Sequence, residues 1–154
     1  MSNGLTFDLL SDGCVARYIK PSHIVNGIIN AAAFDLRDGP PPESYVSFFK
    51  VEGESVHSKF LCGYKIVGSR FRGGLKSSSA IALLEVKECL EQVNDEEQDL
   101  IEFKDQDLPH CGLYYLTNNL VKIQEIKTTL GFLAQDNLES ISKIKSKMVQ
   151  IETK

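Results

Sequence analysis

Apolar and polar side chains alternate most clearly over Cys14–Ile19 (CVARYI). A period of two predicts a half-buried strand, with Arg17 and Ile19 on one face and Ala16 and Tyr18 on the other. Pro21 has no N–H for a ladder and should end that strand. Ser22 is placed to cap a short helix over His23–Ile29. Small residues follow over Asn30–Phe34, and Pro40–Pro42 impose an extended connector. Ser44–Val51 (SYVSFFKV), rich in aromatic and β-branched side chains, predicts a second strand. Residues 1–11 either add an edge strand or stay loose.

The period then changes. Val56, Phe60 and Tyr64 recur every four residues, which predicts a helix over about 55–67, capped by Ser55 and weakened by Gly63. His57, in its first turn, is expected to be exposed. Ala80–Glu88 opens with a dense apolar run and predicts a third strand, followed by an acidic connector over Glu91–Asp99. Leu100–Lys104 and His110–Leu116 predict two more strands. From Leu120 onward, Ile123, Ile126, Leu130 and Leu133 form a helical stripe. Asp136 and Glu139 make a capping-box pattern that predicts a fresh helix start. Beyond it, Leu138, Ile141, Ile144, Met148 and Ile151 line one seam, opposite Lys143, Lys145 and Lys147.

These elements predict an α+β fold, a small and mostly antiparallel sheet covered by helices, with an amphipathic helical segment at the C-terminus. The expected organisation is one domain over residues 1–134 and a helix over 135–154 that packs on the domain or on a second chain. Pairing through the seam is the preferred expectation, because soluble monomers rarely leave such a stripe in water.

Composition narrows the functional classes. The chain has 154 residues, 42% hydrophobic and 25% charged, which suits one soluble globular domain. A net charge of -4 argues against broad nucleic-acid binding. Cys14, Cys62, Cys89 and Cys111 fit no zinc spacing and are expected to be reduced thiols of a cytoplasmic protein. No apolar run is long enough to cross a membrane, and Met1–Leu10 lacks the features of a signal peptide. No cofactor motif is present. Asp95, Glu96 and Glu97 lack the spacing of a calcium loop, so no metal site is expected.

Two groups of residues could carry chemistry. Arg17, His23 and His110 form the first. Two histidines can serve as acid and base, and an arginine can hold a phosphate or carboxylate. Ser22 or Ser47 would supply a hydroxyl, although neither has a flanking nucleophile signature. The plainer reading is that Arg17 pairs with Asp35 or Asp38 and His23 caps a turn. The second group is Arg70, Arg72 and Lys76 around Gly73-Gly74, a possible anion nest, or else a solvated surface loop. Its spacing is not that of a phosphate-binding P-loop.

Arg17, Pro21-Ser22-His23, Ala33-Phe34, Pro40–Pro42 and Val46-Ser47, with the later Pro109-His110 turn, form a pattern. It resembles that of a loose group of uncharacterised small bacterial proteins. Cys111-Gly112 departs from that pattern. The resemblance implies a fold unit with two histidine positions, and no chemistry. Taken together, these features predict a small binding or assembly module working through a protein partner or a homodimer. The alternative is a small hydrolase or a phosphotransfer or nuclease-type enzyme using Arg17, His23 and His110.

Overall fold

The computed structural model describes residues 8–36, 43–71 and 73–152, with side chains up to Met148. Asp38, the Pro40–Pro42 connector, Arg72 and the Ile151 side chain lie outside this description. The fold is α+β, as the periodicity predicts.

Strand β1 (Leu9–Leu10) precedes β2 (Cys14–Ile19). Val15 and Ile19 of β2 are buried on one face, and Cys14 and Ala16 on the other. The expected helix over His23–Ile29 does not form. Pro21–His23 makes one 3-10 turn, and a hairpin follows, β3 (Ile24–Val25) against β4 (Ile28–Ile29). The reason is Asn26-Gly27: φ values of 53 and 78 put both turn residues in the left-handed region, the requirement of a two-residue hairpin. A second 3-10 turn, Ala31–Phe34, is capped by the Asn30 side chain.

Strand β5 (Val46–Val51) leads to helix α1 (Val56–Gly68). A reciprocal Ser55–Ser58 capping box starts α1. Gly63 lets α1 lie close to the sheet, because a Cβ there would come 3.1 Å from the Ala16 Cβ. Strand β6 (Ala80–Glu85) is shorter than expected, and α2 (Val86–Val93) starts directly after it. From Val86 the apolar pattern switches to helical spacing, with Val86 and Cys89 buried. Strands β7 (Ile101–Asp105) and β8 (His110–Tyr115) follow, then α3 (Leu120–Gln135).

The segment after α3 departs from expectation. Asp136 does not start a fresh helix; it is the C-cap residue of α3, its N–H donating to the Ala134 carbonyl. Instead β9 (Leu138–Ser140) pairs antiparallel with β6, and α4 (Ile141–Glu152) starts where β9 ends. The physical cause is the open edge of β6, whose ladder β9 extends.

The main sheet runs β1-β7-β8-β5-β2-β6-β9, antiparallel at every junction. Its first face, under α2, α3 and the Ala31–Phe34 turn, buries Val15, Phe34, Phe48, Phe103, Leu113 and Leu130. Its second face, under α1 and α4, buries Ala16, Val51, Phe60, Ile81, Ile141 and Ile144. The expected pairing seam is therefore not a surface. Ile141 and Ile144 are 0% and 1% exposed within their own chain. Met148 packs at the margin of that cluster, while Leu138 packs with the opposite face. The helical stripe is apolar because it covers the chain's own sheet, which removes the argument for a second chain there.

Candidate functional site

The central strands place the predicted residues on different sides of the sheet. Arg17 shares the first face with Val15 and Ile19. Its Nε and Nη2 donate to the Ala33 carbonyl at 3.1 and 2.8 Å, and Nη1 donates to the Ser47 carbonyl at 2.8 Å. This side chain staples the Ala31–Phe34 turn and β5 to β2. Of its two anticipated partners, Asp35 pairs with Lys127 at 2.6 Å, and Asp38 lies outside the described residues. His23 closes the Pro21–His23 turn through its backbone N–H to the Lys20 carbonyl at 3.0 Å. Partial burial, then Lys20 and Arg17, push its imidazole below the ordinary range, with Asp35 opposing.

His110 lies on the second face. It pairs in register with Phe49 across β5 and β8, and the two rings stack at 5.4 Å. Its Nε2 lies 3.2 Å from the Ser47 Oγ. Ser47 is thus held from both sides, at its carbonyl by Arg17 and at its hydroxyl by His110. Arg17 and His23 do not converge with His110, because the sheet stands between them.

A different meeting occurs instead. The Arg70 guanidinium lies over the Phe49 ring at 4.9 Å, beside the stacked His110. Partial burial, followed by the Arg70 charge, lowers the His110 pKa, and Asp107 opposes this. Arg70 and His110, assigned to separate groups by sequence, share one aromatic support. Lys76 does not join them on Phe49. It is exposed, and its carbonyl accepts from the Ser79 backbone and hydroxyl. The Gly74 N–H donates to the Phe71 carbonyl at 3.2 Å, so it closes a local turn.

The rings continue along the β8 and β7 end of this face, where α1 and α4 give way to side chains of the sheet itself. Tyr45 lies 5.7 Å from His110 and 5.3 Å from Tyr114, and Lys104 sits 5.0 Å from the Tyr114 ring centre. Gly112 makes this possible, since a Cβ there would overlap the Tyr45 ring. Lys104 is also paired with Glu102 at 3.2 Å, whereas Arg70 forms no salt bridge among the described residues. The result is a half-buried ladder of rings with a cation at each end.

Sequence reasoning missed Tyr45, Phe49, Tyr114 and Lys104 as site residues. The odd-numbered Tyr45, Ser47 and Phe49, and the even-numbered His110, Gly112 and Tyr114, each obey a period of two. Only the β5–β8 register joins the two sets.

The remaining chemistry is structural. Cys14, Cys62, Cys89 and Cys111 are free thiols. Burial raises Cys14 to about 11 and Cys89 and Cys111 to about 12, so these three are poor nucleophiles. The Asp95 carboxylate accepts from the N–H groups of Glu97 and Gln98 and orders its own turn. Among the described residues no cluster of three or more metal-ligating side chains occurs, and no helix is long and apolar enough to cross a membrane. Comparison of the chain with family models, with curated proteins and with solved structures returned no match.

Proposed function

We propose that the protein is a small binding module that takes an anionic ligand on the open end of the second sheet face, at Arg70, His110 and Ser47. The observation that carries this reading is the placement of Arg70 and His110 on the same Phe49 ring, with the Ser47 hydroxyl 3.2 Å from His110. A guanidinium stacked on a ring keeps its N–H edge available for a carboxylate or phosphate. The imidazole and the hydroxyl add donors beside it. The overall charge is acidic, so this local cation suits a small anion better than a nucleic-acid backbone. Assembly through the α4 seam is not retained, because Ile141 and Ile144 at its centre are core.

Titration with inorganic phosphate, followed by NMR of the His110 ring, tests the proposal. Binding should shift the ring signals to saturation and raise the His110 pKa, because an anion favours the imidazolium. Arg70→Gln removes a charge-assisted contact of about 1.5–3 kcal/mol, so affinity should fall roughly tenfold or more. Unmoved His110 signals, or unchanged affinity in the variant, would overturn it.

The Ser47–His110 contact favours a second reading, in which neutral His110 takes the Ser47 proton as that hydroxyl attacks an ester carbonyl, the ester C–O bond breaks to leave an acyl-serine, and the imidazolium returns the proton to the departing alcohol. Hydrolysis of p-nitrophenyl acetate that is abolished by Ser47→Ala would support it. Turnover equal to that of free imidazole would exclude it.

A further inference from the structure

At the far edge of the sheet, β1 and α2 enclose a groove of about 650 Å³. Leu10, Leu90 and Ile101 form its apolar floor, and Leu9 stands at its lip, 63% exposed. Glu91, Asp95, Glu96 and Asp99 rim it, against Lys87 as the one cation of its lining among the described residues. Glu102 also lines it but is paired with Lys104, so its charge is partly compensated. The rim is rigidly built. The Asn94 side chain accepts from the N–H groups of Leu100 and Ile101 and donates to the Ile101 carbonyl, which holds the acidic loop to β7.

Among the described residues no strand pairs with the outer side of β1. Asp105 donates its N–H to the Asp8 carbonyl at 2.9 Å, and Leu10 pairs with Phe103. In an antiparallel ladder this alternation turns the Leu9 N–H and C=O away from β7. We propose that the groove is a docking site for a short basic peptide segment of another protein, lying alongside β1. An aliphatic side chain of the segment would rest on Leu10, Leu90 and Ile101, and its lysines or arginines would face the carboxylate rim. Charge complementarity selects this occupant. Four carboxylates that form no salt bridge among the described residues, facing one lysine, repel acidic segments and attract basic ones, and strand addition at a sheet edge supplies main-chain hydrogen bonds.

The test uses the full chain, labelled with nitrogen-15, and two synthetic peptides. One alternates lysine and valine, and the other has glutamate for each lysine. The lysine peptide should give saturable shifts at the amides of Leu9, Leu10, Leu90 and Ile101. Its affinity should fall several-fold on raising the salt concentration, as exposed charges are screened. Glu91→Lys combined with Glu96→Lys, both at exposed positions, should keep the thermal unfolding midpoint yet weaken that peptide at least tenfold and admit the glutamate peptide. The proposal is overturned by absent or misplaced shifts, by equal binding of the glutamate peptide, or by unchanged binding to the double variant. Concentration-dependent shifts at these amides without peptide would assign the groove to a second copy of the chain and also overturn it.

Discussion

Ile144 measures how firmly the C-terminal helix belongs to the core of its own chain. It is 1% exposed and belongs to the apolar cluster that includes Phe60, Val67 and Ile141. Ile144→Ala removes three carbons. At about 0.8 kcal/mol each this is roughly 2.4 kcal/mol of transfer free energy. The residual cavity, ringed by side chains anchored on α1 and the sheet, should bring the loss to about 3–4 kcal/mol. A domain of this size has about 5–15 kcal/mol in total, so the alanine variant should stay folded with a clearly lower urea midpoint. Ile144→Glu adds the desolvation of a carboxylate and should unfold the chain. Urea titration followed by circular dichroism gives the first number, and sedimentation velocity on the same samples gives the mass. The reasoning fails if Ile144→Ala costs less than about 1 kcal/mol while the wild type sediments as a dimer that the substitution splits.

Two further outcomes follow from the same burial and electrostatics. Phe48 is fully buried between Phe34 and Phe103, with ring centres 6.3 and 5.7 Å away, so Phe48→Ala should cost about 3–5 kcal/mol. Half-buried Phe49→Ala should cost less, and equal urea midpoints for the two variants would contradict this assignment of faces. The pKa values of His23 and His110 are both lowered from 6.5 in the fold, so near that pH the unfolded chain binds more protons than the folded one. Stability should therefore be complete above about 6.5 and decline as pH falls through the folded values. A urea midpoint that rises on acidification through this range would refute it, and His110→Asn should flatten the decline.

Much of the fold was legible because long periodic runs dominate it. Cys14–Ile19, Val46–Val51 and His110–Tyr115 are strands, and Val56–Gly68 is a helix with Ser55 as its cap. Over residues 21–29 two local signals compete, a helix start at Pro21-Ser22 and the hairpin turn Asn26-Gly27, and the hairpin wins because Asn and Gly accept the left-handed backbone it needs. β9 has three residues, too few to show a period. The Ile141–Ile144 stripe reported burial correctly but carried no information about which surface buries it. The site divides in the same way. Arg17 is consequential as a staple between Ala33 and Ser47, a role indistinguishable in sequence from anion binding. Arg70 and His110 were each identifiable as reactive types, but their meeting on Phe49 depends on a strand register that no local pattern encodes.

The position of β2 also governs how the chain can assemble in time. Cys14 pairs with Val51 on one side and Glu85 on the other, so neither neighbour of this central strand is local. The β7–β8 hairpin, closed by the short 106–109 turn, joins strands that are neighbours along the chain. The centre of the sheet must wait for two long loops to close, each opposed by chain entropy before any side chain is buried. Contact patterns of this kind belong to domains that fold on the order of milliseconds to seconds. During that interval the aliphatic run Ala80–Leu84, buried on both faces in the native sheet, is without its partner strand. The interval before β2 docks is therefore when the chain is most exposed to aggregation.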